Sequence, residues 1–462
     1  QTDIAAAEEA AWAKLVGAQG GEGRIFYRRR PQNTGRKAGN IADFVRRWGA
    51  AYAHMIVLDA DSVMRGDTMV ALARMMQANP RVGIIQTLPM AAGRTTLFAR
   101  ATQFAARLNG PMLAAGLAFW QLGEGNYWGH NAIIRMRPFA AFCGLPTLPG
   151  AAPLGGDILS HDFVEAAFMR RAGYEVWMAP ALEGSWEEIP SNALDMAARD
   201  KRWCQGNMQH MALLPCSGLH WVSRIHMLTG VMSYAASLFW LAALFVSSAI
   251  IGIEAIEGHA YFLPGYQLFP NWPQARDSEI ALLLGGTLAL LFVPKFLGLA
   301  LALRNAALRR QFGGASRLLA SVLCEQALSV LMAPMMMVFH AGFVAATLAG
   351  RVVAWNAQDR SDRGVGLGEA YRRLRPQLWL GLAWTLATVA IAPRFFWWLS
   401  PVLAGLLLAI PLAMATSRAD WGLRARAWGL FLTPEETAPP LEWREVLQST
   451  VPAVPAPARL SA

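Results

Sequence analysis

The chain has little charge and little cysteine for its length. Of its 462 residues, 16% are charged and 55% are hydrophobic, which excludes a wholly soluble globular protein. Its four cysteines show no Cys-x-x-Cys spacing, so we expect reduced thiols rather than a disulfide framework or a zinc site. The sequence has no internal repeat, which excludes a solenoid.

The N-terminus lacks both an initiator methionine and a charged segment followed by an apolar one. Gln1-Thr2-Asp3 leads instead into the flank of a predicted helix. A secretory signal peptide is therefore not predicted here. We expect the chain to be a fragment whose N-terminal part is missing.

The net charge of +10 is carried largely by arginines that flank long apolar runs. Such flanks are typical of the cytoplasmic ends of membrane spans. Alternating aromatic and basic residues, which are typical of single-strand binding, are not found. The expected partner is a lipid bilayer and not a nucleic acid.

The chain divides by composition into an α/β part, an apolar part and a tail. Residues 1–220 alternate predicted strands and helices, which favours a mostly parallel sheet with its functional loops beyond the carboxyl ends of the strands. This part includes an amphipathic, interfacial helix at about 193–214. Residues 225–417 form a predicted α-helical transmembrane domain, and the proline-containing tail 418–462 is predicted to be cytoplasmic and partly flexible.

Apolar runs long enough to cross a bilayer, which takes ~20 residues, predict the membrane spans. They lie near 226–252, 280–303, 377–392 and 395–416. The connections 304–317 and 351–376 are rich in arginine and are expected on the cytoplasmic side. The run 318–350 then has to cross twice or re-enter, turning near Pro334, which predicts about six crossings in total.

Asp59-Ala60-Asp61 follows the apolar run Met55–Leu58, which predicts a strand that opens into a loop. Two carboxylates at such a position can hold Mg²⁺ or Mn²⁺ against a diphosphate, although a bare Asp-x-Asp is more often a solvated turn. Asp162 lies where a helix begins and is the candidate general base that deprotonates an acceptor hydroxyl. The alternative for Asp162 is an ordinary helix N-cap.

Three further segments are candidates for binding a nucleotide-sugar and its acceptor. Arg199 and Arg202 can pair with phosphates and Trp203 can stack on a sugar, the alternative being a helix that only anchors at the membrane interface. The second segment is a donor-binding Lys37, Gly39 and Asn40, for which the alternative is a surface turn. The third is an acceptor cradle, for which the alternative is core packing: Tyr127, Trp128, His130 and Asn131.

The order of these motifs resembles that of the processive membrane-embedded glycosyltransferases of family 2, which include cellulose and hyaluronan synthases. The motifs are, in order, Lys-Ala-Gly-Asn, Asp-x-Asp, aromatic-Gly-x-Asn, x-x-Asp and Arg-x-x-Arg-Trp. The longer segments are similar to the glucans biosynthesis glucosyltransferase H family over nearly the whole chain. They include Val57–Met64, Gly129–Arg135, Leu159–Ala166 and Leu228–Tyr234.

The resemblance implies a GT-A-like (Rossmann-like) cytoplasmic domain in an inner-membrane enzyme. That enzyme would polymerise glucose from UDP-glucose into the β-1,2 backbone of osmoregulated periplasmic glucans. The growing glucan and periplasmic glucan-processing proteins would be its partners. By motif, Asp59 and Asp61 would bind metal and diphosphate, Asp162 would be the base, and Trp355 to Arg360 would form a loop that gates the donor site.

Family members carry two spans and a uridine-binding aspartate upstream of the point where this chain begins, so we expect its donor pocket to be incomplete. Two alternatives stay open. One is a family 2 synthase that uses another sugar or linkage, and the other is a non-catalytic membrane partner that binds glucan.

Overall fold

A computed structural model of the chain describes residues 2–258, 261–262, 265, 268–270, 272, 277–352 and 361–449. Its contacts divide the chain into two units, Gln1–Tyr52 and Ala53–Ala462. The boundary between the two units falls inside the predicted domain 1–220. The gating-loop residues Trp355 and Arg360 lie outside the described residues.

The first unit contains the helices α1 (Thr2–Gln19) and α2 (Arg36–Trp48). Asp43 on α2 is largely buried and forms ion pairs with Arg28, Arg46 and Arg47. Because one carboxylate is shared by three guanidinium groups, the basic face of α2 is tied to the segment that precedes it.

A four-stranded sheet with the order β1-β5-β3-β6 forms the centre of the second unit. The expectation of a mostly parallel sheet is wrong in one respect, because β5 runs antiparallel to both β1 and β3. The other three strands point the same way. The carboxyl ends of β1, β3 and β6 and the start of β5 therefore lie at the same end of the sheet. The strands are β1 (His54–Val57), β3 (Val82–Thr87), β5 (Ala132–Arg135) and β6 (Glu175–Ala179).

A second, smaller sheet has the order β2-β7-β4 and contains very short strands: β2 (Val63–Met64), β4 (Met90–Ala91) and β7 (Ser185–Glu187). β2 pairs antiparallel with β7, and β4 pairs parallel with it. β2 follows the Asp59–Asp61 loop, and Ser185 of β7 forms hydrogen bonds with Thr87 and Asn131, so the small sheet lies beside the end of β3 and the start of β5.

Helices cover the sheets through apolar faces. Leu72 and Met76 of α3 are fully buried against Ile85 and Ile133 of the larger sheet, and burial of such side chains is the main stabilising contribution here. The other helices of this part are α4 (Leu97–Gln121), α5 (Met136–Phe142), α6 (His161–Arg171) and α7 (Ala193–Gln209), with α3 at Gly66–Ala78.

The C-terminal half is helical. Among the described residues, three helices are long and apolar enough to cross a membrane, namely α8 (Trp221–Glu257), α9 (Asp277–Arg304) and α11 (Ala315–Leu348). The pair α13 (Pro393–Leu407) and α14 (Ala409–Thr416), bent by 52°, is a fourth if it is one broken span. The expected span 377–392 lies in α12 (Leu367–Ile391), which is not among them.

α11 is a single helix through Pro334, so the expected turn at that residue is wrong. It packs on α4 and α7 of the sheet-containing part and also on the apolar helices α8 and α13. Leu318 lies in one cluster with Phe104 of α4, and Val344 lies in another with Cys204 of α7. Between them, His340 Nε2 lies 3.0 Å from Asp200 Oδ2 of α7.

The tail is folded up to Ser449. It contains α15 (Ala419–Ala427), α16 (Pro434–Thr437) and α17 (Leu441–Ser449), and a short α10 (Ala306–Gln311) lies earlier in the chain. Arg100 of α4, which is 1% exposed, pairs with Glu436 and donates to Phe431 O at 3.1 Å. These contacts attach residues 431–436 of the tail, which was expected to be partly flexible, to the α/β part.

Candidate active site

Asp59 and Asp61 lie in the tight turn between β1 and β2. The Ser62 amide donates to Asp59 O at 3.0 Å, and the Asp59 amide donates to Ser62 Oγ at 3.1 Å. Both carboxylates are half-buried. The apolar strand thus ends where two anionic side chains reach the edge of the sheet.

Tyr127 lies near Asp59, the predicted metal ligand, and Asp162, the predicted base. It is 0% exposed, and its pKa is raised well above the ordinary value, first by burial and then by the charges of Glu165, Asp162 and Asp59. Its ring belongs to the core and is not an open stacking surface. The loop that follows Tyr127 connects the end of β1 with the first turn of α6, because Asn131 N donates to Val57 O at 2.7 Å and Gly129 contacts Asp162.

Asp162 is in the first turn of α6, and the N-cap of this helix is Ser160. The alternative reading of Asp162 as the N-cap is therefore wrong. A Cβ on Gly129 would lie 3.2 Å from Asp162 Oδ2, so the 127–131 loop meets this carboxylate directly. His210 Nε2 lies 3.0 Å from Ser160 O and supports the start of the helix.

Asn131 joins three strands beside the candidate site. Its backbone N–H donates to Val57 O at 2.7 Å, and its side-chain amide donates to Ser185 Oγ at 2.6 Å. Thr87 Oγ1 donates to Asn131 O at 2.6 Å. The predicted acceptor residue Asn131 is thus fully buried in a structural network, whereas Trp128 is partly exposed.

α7 carries Arg199, Arg202 and Trp203. Its N-cap Asn192 accepts from the amides of Leu194 and Asp195. The Arg199 guanidinium lies 4.3 Å above the ring of Trp203, which is 48% exposed. Burial, with the charge of Arg199, lowers the pKa of Arg202. Two neighbouring cations and a half-exposed aromatic ring suit an anion beside a sugar.

Glu187 is a site residue that the sequence analysis missed. His130 Nε2 lies 3.2 Å from Glu187 Oε2. Burial raises the pKa of Glu187, with His130 and Arg199 opposing this effect and Asp61 and Asp59 adding to it. The sequence gives only a weak indication of Glu187, because the run Ser185-Trp186-Glu187 is too short to show the alternating pattern of a strand.

Lys37, Gly39 and Asn40 are in α2 of the first unit. A Cβ on Gly39 would lie 2.0 Å from Thr34 O, so only glycine fits there, and Asn40 Oδ1 accepts from Arg28 Nη2 at 2.5 Å. Their part in donor binding stays a prediction.

Comparison with known families decides the class of this part of the chain. Residues 54–269 match the family described as "Glycosyl transferase family group 2". This region is a family 2 glycosyltransferase domain. The match contains Asp59, Asp61, Asp162 and the Arg202-Trp203 step, and it includes the whole of α8.

The chain is also similar to curated proteins named glucans biosynthesis glucosyltransferase H. It is 51% identical to that of Pseudomonas paraeruginosa over 442 residues, which are 96% of this chain and 51% of the relative. It is 49% identical to that of Escherichia coli K12 over 438 residues, 95% of this chain and 52% of the relative. The chain thus spans about half the length of the curated relatives it matches.

Family 2 glycosyltransferases generally use a divalent metal ion. Within the described part of the chain no group of three or more His, Cys, Asp or Glu side chains is arranged to hold one. The Asp59 and Asp61 carboxylates are hard oxygen ligands, and Mg²⁺ in such enzymes is commonly bound by one or two carboxylates together with substrate phosphates. The residues present therefore fit an ion that is held jointly with a diphosphate.

Proposed function

We propose that the complete protein is a processive inner-membrane glucosyltransferase that builds the β-1,2-linked backbone of osmoregulated periplasmic glucans from UDP-glucose. The 129–131 loop supports this proposal most directly. It is hydrogen-bonded to the end of β1, just before Asp59, and it contacts the Asp162 carboxylate, and the donor end and the base must meet at the sugar. The names of the relatives support the choice of glucose.

In this proposal Asp162 takes the proton from the acceptor hydroxyl that attacks the glucosyl carbon, and UDP leaves from the opposite side. Asp59 and Asp61 would hold Mg²⁺ or Mn²⁺, which neutralises the charge of the departing diphosphate. Arg199 and Arg202 pair with the phosphate oxygens, and Trp203 stacks on the acceptor end of the glucan. Gly129 leaves room for the acceptor beside the Asp162 carboxylate.

For the membrane we propose that α11 does not cross but lies along the family 2 domain. Its contacts with α4 and α7 extend from Leu318 to Val344. Both of its arginine-rich flanks, 304–317 and 351–376, then stay on the cytoplasmic side with the catalytic domain, as their charge requires. α8 with α9, and α12 with α13 and α14, would form two hairpins through the inner membrane.

The decisive experiment is an assay of membranes that carry the complete protein with radiolabelled UDP-glucose and added Mg²⁺ or Mn²⁺. We expect a β-1,2-linked glucan from the wild type and none from Asp162→Asn. The exposed Asp157→Asn is a matched control with wild-type activity. Incorporation from UDP-N-acetylglucosamine in place of UDP-glucose would contradict the choice of sugar, and activity of Asp162→Asn would contradict the base.

A further inference from the structure

The small sheet β2-β7-β4 has too little backbone pairing to be stable by itself. Its strands have two, three and two residues. Isolated strands of this length are marginal in water and depend on packing of an apolar face. Its position therefore depends on what covers that face.

Trp443 of α17 covers it. The side chain is 5% exposed, and its ring centroid lies 6.2 Å from that of Trp186 on β7. Val63 of β2 and Met90 of β4 pack in the same cluster. Trp443 and Trp186 thus form the core of a cluster that takes a side chain from each of the three strands.

These strands carry or adjoin the donor end of the site. Val63 is two residues beyond Asp61, and Trp186 precedes Glu187, which pairs with His130. A shift of the Trp186–Trp443 contact would move both acidic groups.

The tail that delivers Trp443 is fixed along α4. Arg100, which is fully buried, pairs with Glu436, and Arg107 Nε, on a side chain that is 14% exposed, donates to Glu435 Oε1 at 3.0 Å. Arg65 Nε lies 3.9 Å from Glu442 Oε1, beside Trp443. The segment lies far beyond residue 269, where the family match ends.

We propose that Trp443 is a positioning residue for the donor site: by packing on the small sheet, it fixes the turn that carries Asp61 and the strand that carries Glu187. The catalytic arrangement thus includes a part of the chain outside the family 2 domain. The kinetic part of this proposal rests on the proposed glucosyltransferase function, whereas the structural part does not.

The kinetic test compares Trp443→Ala with Trp443→Phe and Trp421→Ala in the complete protein. Trp421, 44% exposed on α15 of the same tail, is the matched control. We expect KM for UDP-glucose to rise roughly tenfold or more in Trp443→Ala, because small misplacement of binding groups is costly. Trp443→Phe should recover most of this loss, and Trp421→Ala should equal the wild type.

Hydrogen exchange of the same variants tests the structural part without any sugar substrate. Trp443→Ala should speed exchange in peptides covering 59–64 and 185–188, while protection of β3 and β5 shows that the fold persists. Wild-type exchange there, or faster exchange with an unchanged KM, overturns the proposal. If Trp443→Ala does not fold, Trp443→Leu, which keeps an apolar side chain but loses the ring contact with Trp186, supplies the same two readouts. Absence of UDP-glucose transfer in the wild type would refute the function and leave the exchange result decisive for the packing.

Discussion

Gly129 lies against the carboxylate of Asp162, and a Cβ at Gly129 would be 3.2 Å from Asp162 Oδ2. The φ of Gly129 is +90°, a backbone conformation that residues with a side chain rarely adopt. Conformation and space therefore both require glycine here. The motif Trp128-Gly129-His130-Asn131 thus keeps the surroundings of the candidate base open.

Gly129→Ala should lower kcat for glucan synthesis by roughly tenfold or more, because the methyl group displaces the Asp162 carboxylate from the acceptor. Radiolabelled UDP-glucose incorporation measures this effect. Gly116→Ala on α4, where a Cβ would meet nothing within 4 Å, is the matched control. Equal activity of the two variants would contradict a close fit of Gly129 to the base.

The outline of this site is predictable from the sequence, but its neighbours are not. A continuous apolar run followed by Asp59 predicts a strand end, and Asp162 is correctly placed in a first helical turn. The reversed direction of β5 is not predictable, because Ala132–Arg135 has the same apolar pattern in either direction and its pairing with Val57 and Gln86 is long-range.

Two other differences have local causes. Pro334 predicts a break, but α11 continues through it, and α13 packs on the helix at this point, where a Cβ on Gly405 would lie 2.8 Å from the proline ring. Glu187 was missed because its strand has three residues and its partners have two. Only the assembled sheet shows that this acid faces His130.

Glu187→Gln should reduce activity by roughly tenfold to a hundredfold, because His130 loses the carboxylate that pairs with it. Burial raises the pKa of Glu187, so the ionised form is lost at a higher pH than for an ordinary glutamate. As pH falls, wild-type activity should therefore begin to decline while the pH is still above about 4.3, the usual glutamate pKa. In Glu187→Gln this acid limb should be absent from the pH–rate profile.

Glu183→Gln is the control for this pair, because Glu183 is 77% exposed and close to the same strand. It should keep both the rate and the acid limb of the wild type. An unchanged pH profile in Glu187→Gln would show that another group gives rise to the limb.

His210 should make stability depend on pH. Burial lowers its pKa, and the neutral ring lies 3.0 Å from Ser160 O. The folded state therefore resists protonation, so its contribution to stability is complete above the unfolded pKa of about 6.5 and is lost as pH falls below it. His210→Asn should cost about 1 kcal/mol at pH 7.5, when the hydrogen bond is lost.

Thermal unfolding of the detergent-purified protein at pH 7.5 and pH 5.5 measures the difference between wild type and His210→Asn. We expect the difference to narrow at pH 5.5, because only the wild type has to bury a group that tends to be charged. A difference that widens at low pH would mean that His210 is charged in the fold and pairs with an acid.

The orientation of α11 can be tested with single cysteines at its two ends. Ser316 and Ala349 are both exposed, and Glu257 at the end of α8 is exposed on the predicted opposite side of the membrane. Because α11 packs on α4 and α7 from Leu318 to Val344, both ends should lie on the catalytic side. In a background without the native cysteines, an impermeant maleimide should label Ser316→Cys and Ala349→Cys in inside-out vesicles, and Glu257→Cys in spheroplasts.

If α11 instead crosses the bilayer, Ser316→Cys and Ala349→Cys will be labelled from opposite sides. The arginines of 304–317 and 351–376 would then flank one span at both ends, against the usual bias of positive charge toward the cytoplasm.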